Sequence, residues 1–121
     1  MNLKQITIGL IFCVLISGCS LSVNYIPKTS YANTPKPSTH LITVFQMNEN
    51  LQSEYIAIGS VSVGEGGMTM KCGYDDVIIA AQKKARNVGG DAIQIVQLKE
   101  PDLFSSCYNL IANVLVVNAD N

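Results

Sequence analysis

The four cysteines and the single histidine carry the most reactive side chains of this 121-residue sequence. A cysteine thiol can be acylated, can pair as a disulfide or can bind a soft metal ion, and a histidine can act as a general base or a metal ligand. Cys13 and Cys19 lie near the amino terminus, whereas Cys72 and Cys107 lie in the second half of the chain. The two pairs therefore require separate explanations.

Residues 1–18 have the layout of a secretory signal peptide. Lys4 provides a cationic start, residues 6–16 form an apolar run, and Ser17-Gly18 place small residues before Cys19. A helix that crosses a bilayer needs roughly 20 apolar residues, and this run is much shorter. We therefore expect residues 1–18 to be removed as a signal peptide.

The four residues Ile16-Ser17-Gly18-Cys19 resemble the lipobox of bacterial lipoproteins. In that family the cysteine thiol receives a diacylglyceryl group, the chain is cut before it, and the new amino group is acylated. The resemblance implies that Cys19 becomes a fatty-acylated first residue, and several acyl chains are enough for stable anchoring. In such lipoproteins an aspartate after the acylated cysteine is the usual signal for retention in the inner membrane. This sequence has Ser20 at that position, so the resemblance implies a location in the outer membrane. The alternative is an ordinary secretory signal or a core helix that carries a cysteine.

Residues 20–40 have the composition of a linker. They are rich in Ser, Thr, Asn and Pro and show no apolar periodicity. The prolines favour extended conformations of about 3.1 Å per residue, so this segment could hold a domain on the order of 60 Å from the bilayer. We predict that residues 19–40 comprise the lipidated cysteine and a flexible tether, and that residues 41–121 form the globular domain.

The globular domain is expected to contain four strands. The apolar and β-branched patterns place them at residues 41–47, 55–63, 91–98 and 108–117. Within the second strand, alternation puts Val61 and Val63 on one face and Ile58 on the other. The last strand is apolar on both faces over its second half, which predicts a central position in the sheet.

One helix is predicted between the second and third strands. Asp75 or Asp76 can cap its first turn, and Gly89 suits the left-handed position after its last turn. The glycine-rich segment 64–73 before it lacks the motif of a phosphate-binding loop and is predicted to be a flexible loop. The expected fold is α+β, a small β-β-α-β-β domain with one helix packed on a mostly antiparallel sheet.

Cys72 and Cys107 are the thiols that remain in the mature domain. In an oxidising compartment we expect them to pair as one structural disulfide that joins the glycine-rich loop to the entry of the last strand. A regulatory redox pair and a metal site are the alternatives, and the metal site would need ligands besides two thiolates. The only histidine, His40, lies at the tether boundary, so we assign no metal ligand.

The composition excludes several classes of function. The net charge is −1 and Arg86 is the only arginine, which argues against a nucleic-acid partner because such a surface needs clustered cations. Asp75 and Asp76 are adjacent on a helix, where side chains diverge by about 100°, and so do not converge as a catalytic pair. We therefore assign no catalytic residues and no cofactor, and we expect a protein that is not an enzyme.

The chain is similar along its whole length to the Rcs stress-sensing outer-membrane lipoproteins (RcsF-like proteins). The matching features are the lipobox at Cys19, the Pro/Ser/Thr-rich tether, Ile58-Gly59-Ser60-Val61, Cys72, Gly90-Asp91-Ala92-Ile93, and Cys107-Tyr108. Two disulfides cross the domain in that family, and the cysteines for one of them are present here. The resemblance implies the family's fold more directly than its role.

The anchor, the tether and the lack of a catalytic set together predict a function. We expect a lipid-anchored, non-enzymatic lipoprotein of the bacterial outer membrane, with its domain in the periplasm or at the cell surface. It would act as a protein-interaction module in sensing, secretion or envelope assembly, held to the membrane through Cys19 and bound to an envelope protein. The alternative is a small-ligand or metal-binding periplasmic domain.

Overall fold

The structure, a computed structural model, describes residues 21–28, 34–51, 54–66 and 71–119. The predicted signal peptide and Cys19 lie outside the described residues. Within these described residues, five strands and one helix follow in the order β1 (Ser22–Pro27), β2 (Thr43–Phe45), β3 (Tyr55–Gly64), α1 (Tyr74–Asn87), β4 (Ala92–Lys99) and β5 (Asn109–Val117).

The strands form one sheet in the order β1-β3-β5-β4-β2. Neighbouring strands are antiparallel except for β2 and β4, which are parallel. Because β3 and β4 both run antiparallel to β5, they are parallel to each other, and α1 connects them across the strand between. The α+β fold with one helix on a mostly antiparallel sheet is therefore confirmed, as is the central position of the last strand.

The core lies between α1 and one face of the sheet. Side chains of α1 at Val77, Ile78, Ala81 and Ala85 are buried against apolar side chains of the three middle strands. The central strand contributes every second residue to this core, namely Leu110, Ala112, Val114 and Val116. The removal of these side chains from water is the main stabilising contribution to the fold.

The ends of α1 differ in part from the sequence prediction. Gly89 has a φ of 85°, which confirms the predicted left-handed residue after the last turn. The N-cap residue is Gly73 and not an aspartate. Asp76, at the third position of the helix, accepts a hydrogen bond of 2.9 Å from the Gly73 amide, so it stabilises the first turn from inside.

A β-bulge in β3 changes the predicted faces of that strand. The register with β5 shifts between Ala57 and Gly59, so the strict alternation is broken. Ile58 is consequently buried together with Val61 and Val63 and is not on the opposite face as predicted. Beside the bulge, the Tyr25 hydroxyl donates a hydrogen bond of 3.2 Å to the Ile58 carbonyl oxygen.

Part of the predicted tether is the edge strand β1, which corrects that prediction at residues 22–27. The strand pairs antiparallel with β3, from Ser22 opposite Gly64 to Pro27 opposite Gly59. Val23 and Tyr25 pack against the core, whereas the other residues of the strand are exposed. The alternation is only a few residues long and lies among Ser, Asn and Pro, which is why composition concealed it.

Residues 34–40, also predicted to be tether, are held on the domain. The Lys36 amide donates a hydrogen bond of 2.8 Å to the Arg86 carbonyl oxygen, and the Arg86 guanidinium donates one of 3.3 Å to the His40 carbonyl oxygen. The side chains of His40 and Lys36 lie 3.0 and 3.7 Å from the Asp91 carboxylate. These contacts are polar and irregular, so no periodicity reveals them.

Asp91 joins this segment to the strands at the same end of the sheet. One of its carboxylate oxygens accepts a hydrogen bond of 3.0 Å from the Val117 amide, and the other contacts His40. Partial burial acts to raise the pKa of the Asp91 carboxyl, but the Val117 amide, His40 and Lys36 outweigh it and lower the pKa below its ordinary value.

This lowered pKa makes stability depend on pH. The stabilisation from ionised Asp91 should be present above its unfolded-state pKa of about 3.9 and should be lost as pH falls through the lower folded-state value. We expect Asp91→Asn to reduce the free energy of unfolding by roughly 1–2 kcal/mol at pH 7 and by less at pH 3. Urea unfolding at both pH values measures this, with the exposed Glu49→Gln as control. An equal loss at both pH values would contradict the assignment.

Candidate functional site at one end of the sheet

The topology brings several predicted features to one end of the sheet. β1 begins, β3 ends, β4 ends and β5 begins there, because Ser22 lies opposite Gly64 and Leu110 lies opposite both Val63 and Leu98. We call this region the loop end and define it as residues 21–22, 64–66, 71–73 and 99–108. The start of β1, three residues after Cys19, is therefore next to the loops that carry Cys72 and Cys107.

A disulfide between Cys72 and Cys107 closes the loop end. The two Cα atoms are 5.0 Å apart, both residues are buried, and the Tyr108 amide donates a hydrogen bond of 3.0 Å to the Cys72 carbonyl oxygen. Cys72 directly precedes the N-cap of α1, and Cys107 lies two residues before the first residue of the central strand. The bridge therefore confirms the predicted pairing and joins the start of the helix to the start of β5.

The loop 100–108 contains a tight turn organised by Asp102. Its carboxylate accepts hydrogen bonds of 2.9 Å from the amides of Phe104 and Ser105, and its own amide donates one of 2.8 Å to the Ser105 carbonyl oxygen. The two amide hydrogen bonds lower the pKa of the Asp102 carboxyl. This arrangement fixes the backbone of the turn although the turn lies on the surface.

Two large apolar side chains at the tip of this turn are almost completely exposed. Leu103 is 98% exposed and Phe104 is 97% exposed. Neither residue belongs to a periodic apolar pattern, but a signal is present in the sequence: an aspartate and a serine three residues later bracket two adjacent apolar residues in a loop. Exposed adjacent apolar residues are typical of a surface that contacts another apolar surface. We call residues 102–105 the apolar turn.

A polar cleft of about 410 Å³ lies at the loop end on the sheet face opposite α1. Its lining is hydroxyl and amide side chains with one carboxylate, from Ser22, Asn24, Ser62, Gly64, Glu65, Ser105 and Asn109. The Ser105 hydroxyl donates a hydrogen bond to the Glu65 carboxylate. His40 contacts Asp91 at the opposite end of the sheet, so it does not complete a nucleophile and base pair here. The cleft can hydrogen-bond to uncharged polar groups.

A second concavity, the α1–β1 groove, runs along the edge of the domain and has a volume of about 390 Å³. Leu21, Val23 and Ala80 form its apolar floor, and Lys83, Lys84 and Asn87 complete its lining. Ile79, one turn before Lys83 on the helix, is 59% exposed. The groove therefore combines apolar surface with two ammonium groups.

Two kinds of feature are absent from the part of the chain that the structure describes. It shows no group of three or more His, Cys, Asp and Glu side chains arranged to hold a metal ion. It also shows no helix whose length and hydropathy would let it cross a bilayer.

Comparison with known proteins identifies structural similarity but no family. No protein-family model and no curated protein matches this sequence. Among solved structures, the chain is similar to the Francisella virulence factor FvfA, with a TM-score of 0.56 and 18% sequence identity. The alignment covers 82% of this chain and 100% of FvfA. At this identity the similarity shows the fold alone.

The disulfide should contribute much of the stability of the domain. In the loop-closure model, a bridge that closes a loop of this size stabilises the folded state by about 4 kcal/mol. We expect reduction, or the double variant Cys72→Ala/Cys107→Ala, to lower the free energy of unfolding by that order. Urea unfolding with and without reductant measures the effect, and reductant should not change the double variant. Equal stability of the oxidised and reduced protein would show that the bridge is not structural.

Proposed function

We propose that this protein is a lipid-anchored, non-enzymatic lipoprotein of the outer membrane that binds another envelope protein. Two features support the cellular location: the lipobox residues that end at Cys19, and a buried disulfide of the kind that persists in oxidising compartments. In this proposal Cys19 is the acylated residue and the described residues form the part that meets the partner.

The α1–β1 groove is the observation that carries the interaction part of the proposal. Its floor is apolar, it opens at the edge of the sheet, and the exposed Ile79 extends the apolar surface along the helix. Contacts between proteins commonly combine such an apolar centre with a charged rim. The groove is therefore the surface that we assign to the partner.

The chemistry of the groove defines the partner segment that would fit it. Lys83 and Lys84 favour carboxylate groups, while the floor favours an apolar side chain between them. Within the described residues, the outer edge of β1 has no neighbouring strand, so an extended segment can pair with it while its side chains enter the groove. We therefore expect an extended, acidic segment that carries at least one apolar residue.

In this proposal the partner binds the groove close to the membrane. Leu21 lines the groove and lies two residues after Cys19, and two residues span at most about 7 Å. A long stand-off through residues 20–40 is not compatible with β1, because those residues return to the sheet at Ser22. The partner segment is thus expected at the membrane surface.

The alternative function, a small-ligand domain that binds in the polar cleft, has weaker support than a protein partner at the groove. It is open to solvent, and its one carboxylate, on Glu65, is already in contact with the Ser105 hydroxyl. Small-molecule sites usually enclose an apolar ligand surface and add a few directed polar groups. The cleft offers the polar groups without the apolar enclosure.

Site-specific photocrosslinking in cells tests the proposed interaction. A photoreactive residue at Lys83 should give a discrete protein adduct, whereas one at the exposed Gln97 on β4 should not. Charge reversal by Lys84→Glu should reduce the adduct roughly tenfold, because it places a carboxylate against the acidic segment. Gln97→Glu on β4 is the control and should leave the adduct unchanged. Lipid adducts alone, or equal adducts at both positions, would contradict the proposal.

A further inference from the structure

We propose that the apolar turn, residues 102–105, is a second membrane contact in which Leu103 and Phe104 insert into the same bilayer leaflet that holds the acyl chains. This inference rests on the proposed acylation of Cys19. It adds a site that the groove does not use, because the turn and the groove consist of different residues.

The side chains of Leu103 and Phe104 are exposed to water and free to contact a bilayer. Leu103 and Phe104 have almost no contact with the rest of the domain, so they add little to the folding of the core. Both are large and adjacent, and they project from one turn. Such side chains gain free energy when an apolar phase removes them from water.

The backbone of the apolar turn is held rigid by hydrogen bonds and by the disulfide. The Asp102 carboxylate and amide fix the backbone on both sides of Leu103 and Phe104. The disulfide holds Cys107 two residues after Ser105, so the loop is covalently tied to the start of α1. Insertion therefore requires little additional ordering of the backbone, and that ordering would otherwise oppose binding.

The apolar turn lies close to the proposed anchor, which favours the bilayer as the apolar phase that it contacts. Ser22 and Ser105 line the same polar cleft, so the start of β1 and the apolar turn are neighbours at the loop end. Cys19 lies three residues before Ser22, and a fully extended chain spans about 3.5 Å per residue. An acylated Cys19 thus keeps Ser22, at the start of β1, within about 10 Å of the membrane surface, and the apolar turn lies across the cleft from it.

The charges of the loop end indicate which lipids are suitable. Among its described residues, the carboxylates of Glu65, Glu100 and Asp102 outnumber the ammonium groups of Lys71 and Lys99. Such a surface is not attracted by anionic headgroups. The contact is therefore apolar, between the two side chains and the outer acyl region of a zwitterionic leaflet.

Two attachment points would give the domain a defined orientation. A single lipidated residue allows the domain to rotate about the chain that follows it, whereas a second contact at the loop end stops that rotation. The loop end then faces the bilayer and the opposite end, with Asp91 and Val117, faces away. The α1–β1 groove runs between these ends and stays accessible from the side.

The sequence contains no tryptophan, so one substitution creates a unique fluorescent reporter. The experiment uses the full acylated protein with Phe104→Trp, reconstituted into phosphatidylcholine vesicles whose acyl chains carry bromine, a contact quencher. We expect bromine to reduce the emission roughly twofold relative to unbrominated vesicles, because the indole lies in the acyl region. Leu41→Trp is the matched control: Leu41 is 87% exposed and precedes β2 at the opposite end of the sheet, so its emission should not change.

A second variant and a flotation assay keep the outcomes distinct. Adding Leu103→Asn to Phe104→Trp should weaken the quenching, while an unchanged circular dichroism spectrum shows that the fold is retained. Protein that does not float with the vesicles lacks the anchor, which would overturn the proposed function together with this inference. Protein that floats but shows no quenching at position 104, or equal quenching at positions 41 and 104, would overturn the membrane contact alone.

Discussion

The Cys72–Cys107 disulfide is the interaction on which the loop end depends. It joins the residue before the N-cap of α1 to the entry of the central strand. The start of the helix is therefore covalently cross-linked to the end of the loop 100–108 and the start of β5. Elsewhere the domain is held by an apolar core between α1 and the sheet. At the loop end, the bridge supplies the constraint that this small core cannot provide.

The second constraint is the early start of β1. Because the strand begins at Ser22, the domain does not hang from a long tether; its edge strand and its groove begin almost at the proposed anchor. The disulfide and the apolar turn occupy the end of the sheet where β1 begins, and the groove connects that end to the exposed helix face. In the proposed function, this arrangement links a lipid attachment to an oriented binding surface.

The sequence was sufficient where a local rule decides the structure. Gly89 follows the helix with a positive φ, the doubly apolar β5 is central, and Cys72 pairs with Cys107. The sequence was insufficient to predict the structure where tertiary contacts determine it. β1 is held by pairing with β3 and not by a strong strand pattern, and the bulge before Gly59 reverses the face of Ile58. The exposed apolar turn contributes no periodicity, so only the structure shows that it stands clear of the core.

The central claim is that an acylated Cys19 attaches this oxidised domain to a membrane. Intact-mass spectrometry of the protein extracted from native membranes tests the claim most directly. We expect a chain that begins at Cys19, carries a diacylglyceryl group and an amide-linked acyl chain, and is two hydrogens lighter than the form with free Cys72 and Cys107 thiols. A chain that retains residues 1–18, or that carries no lipid at Cys19, would contradict it.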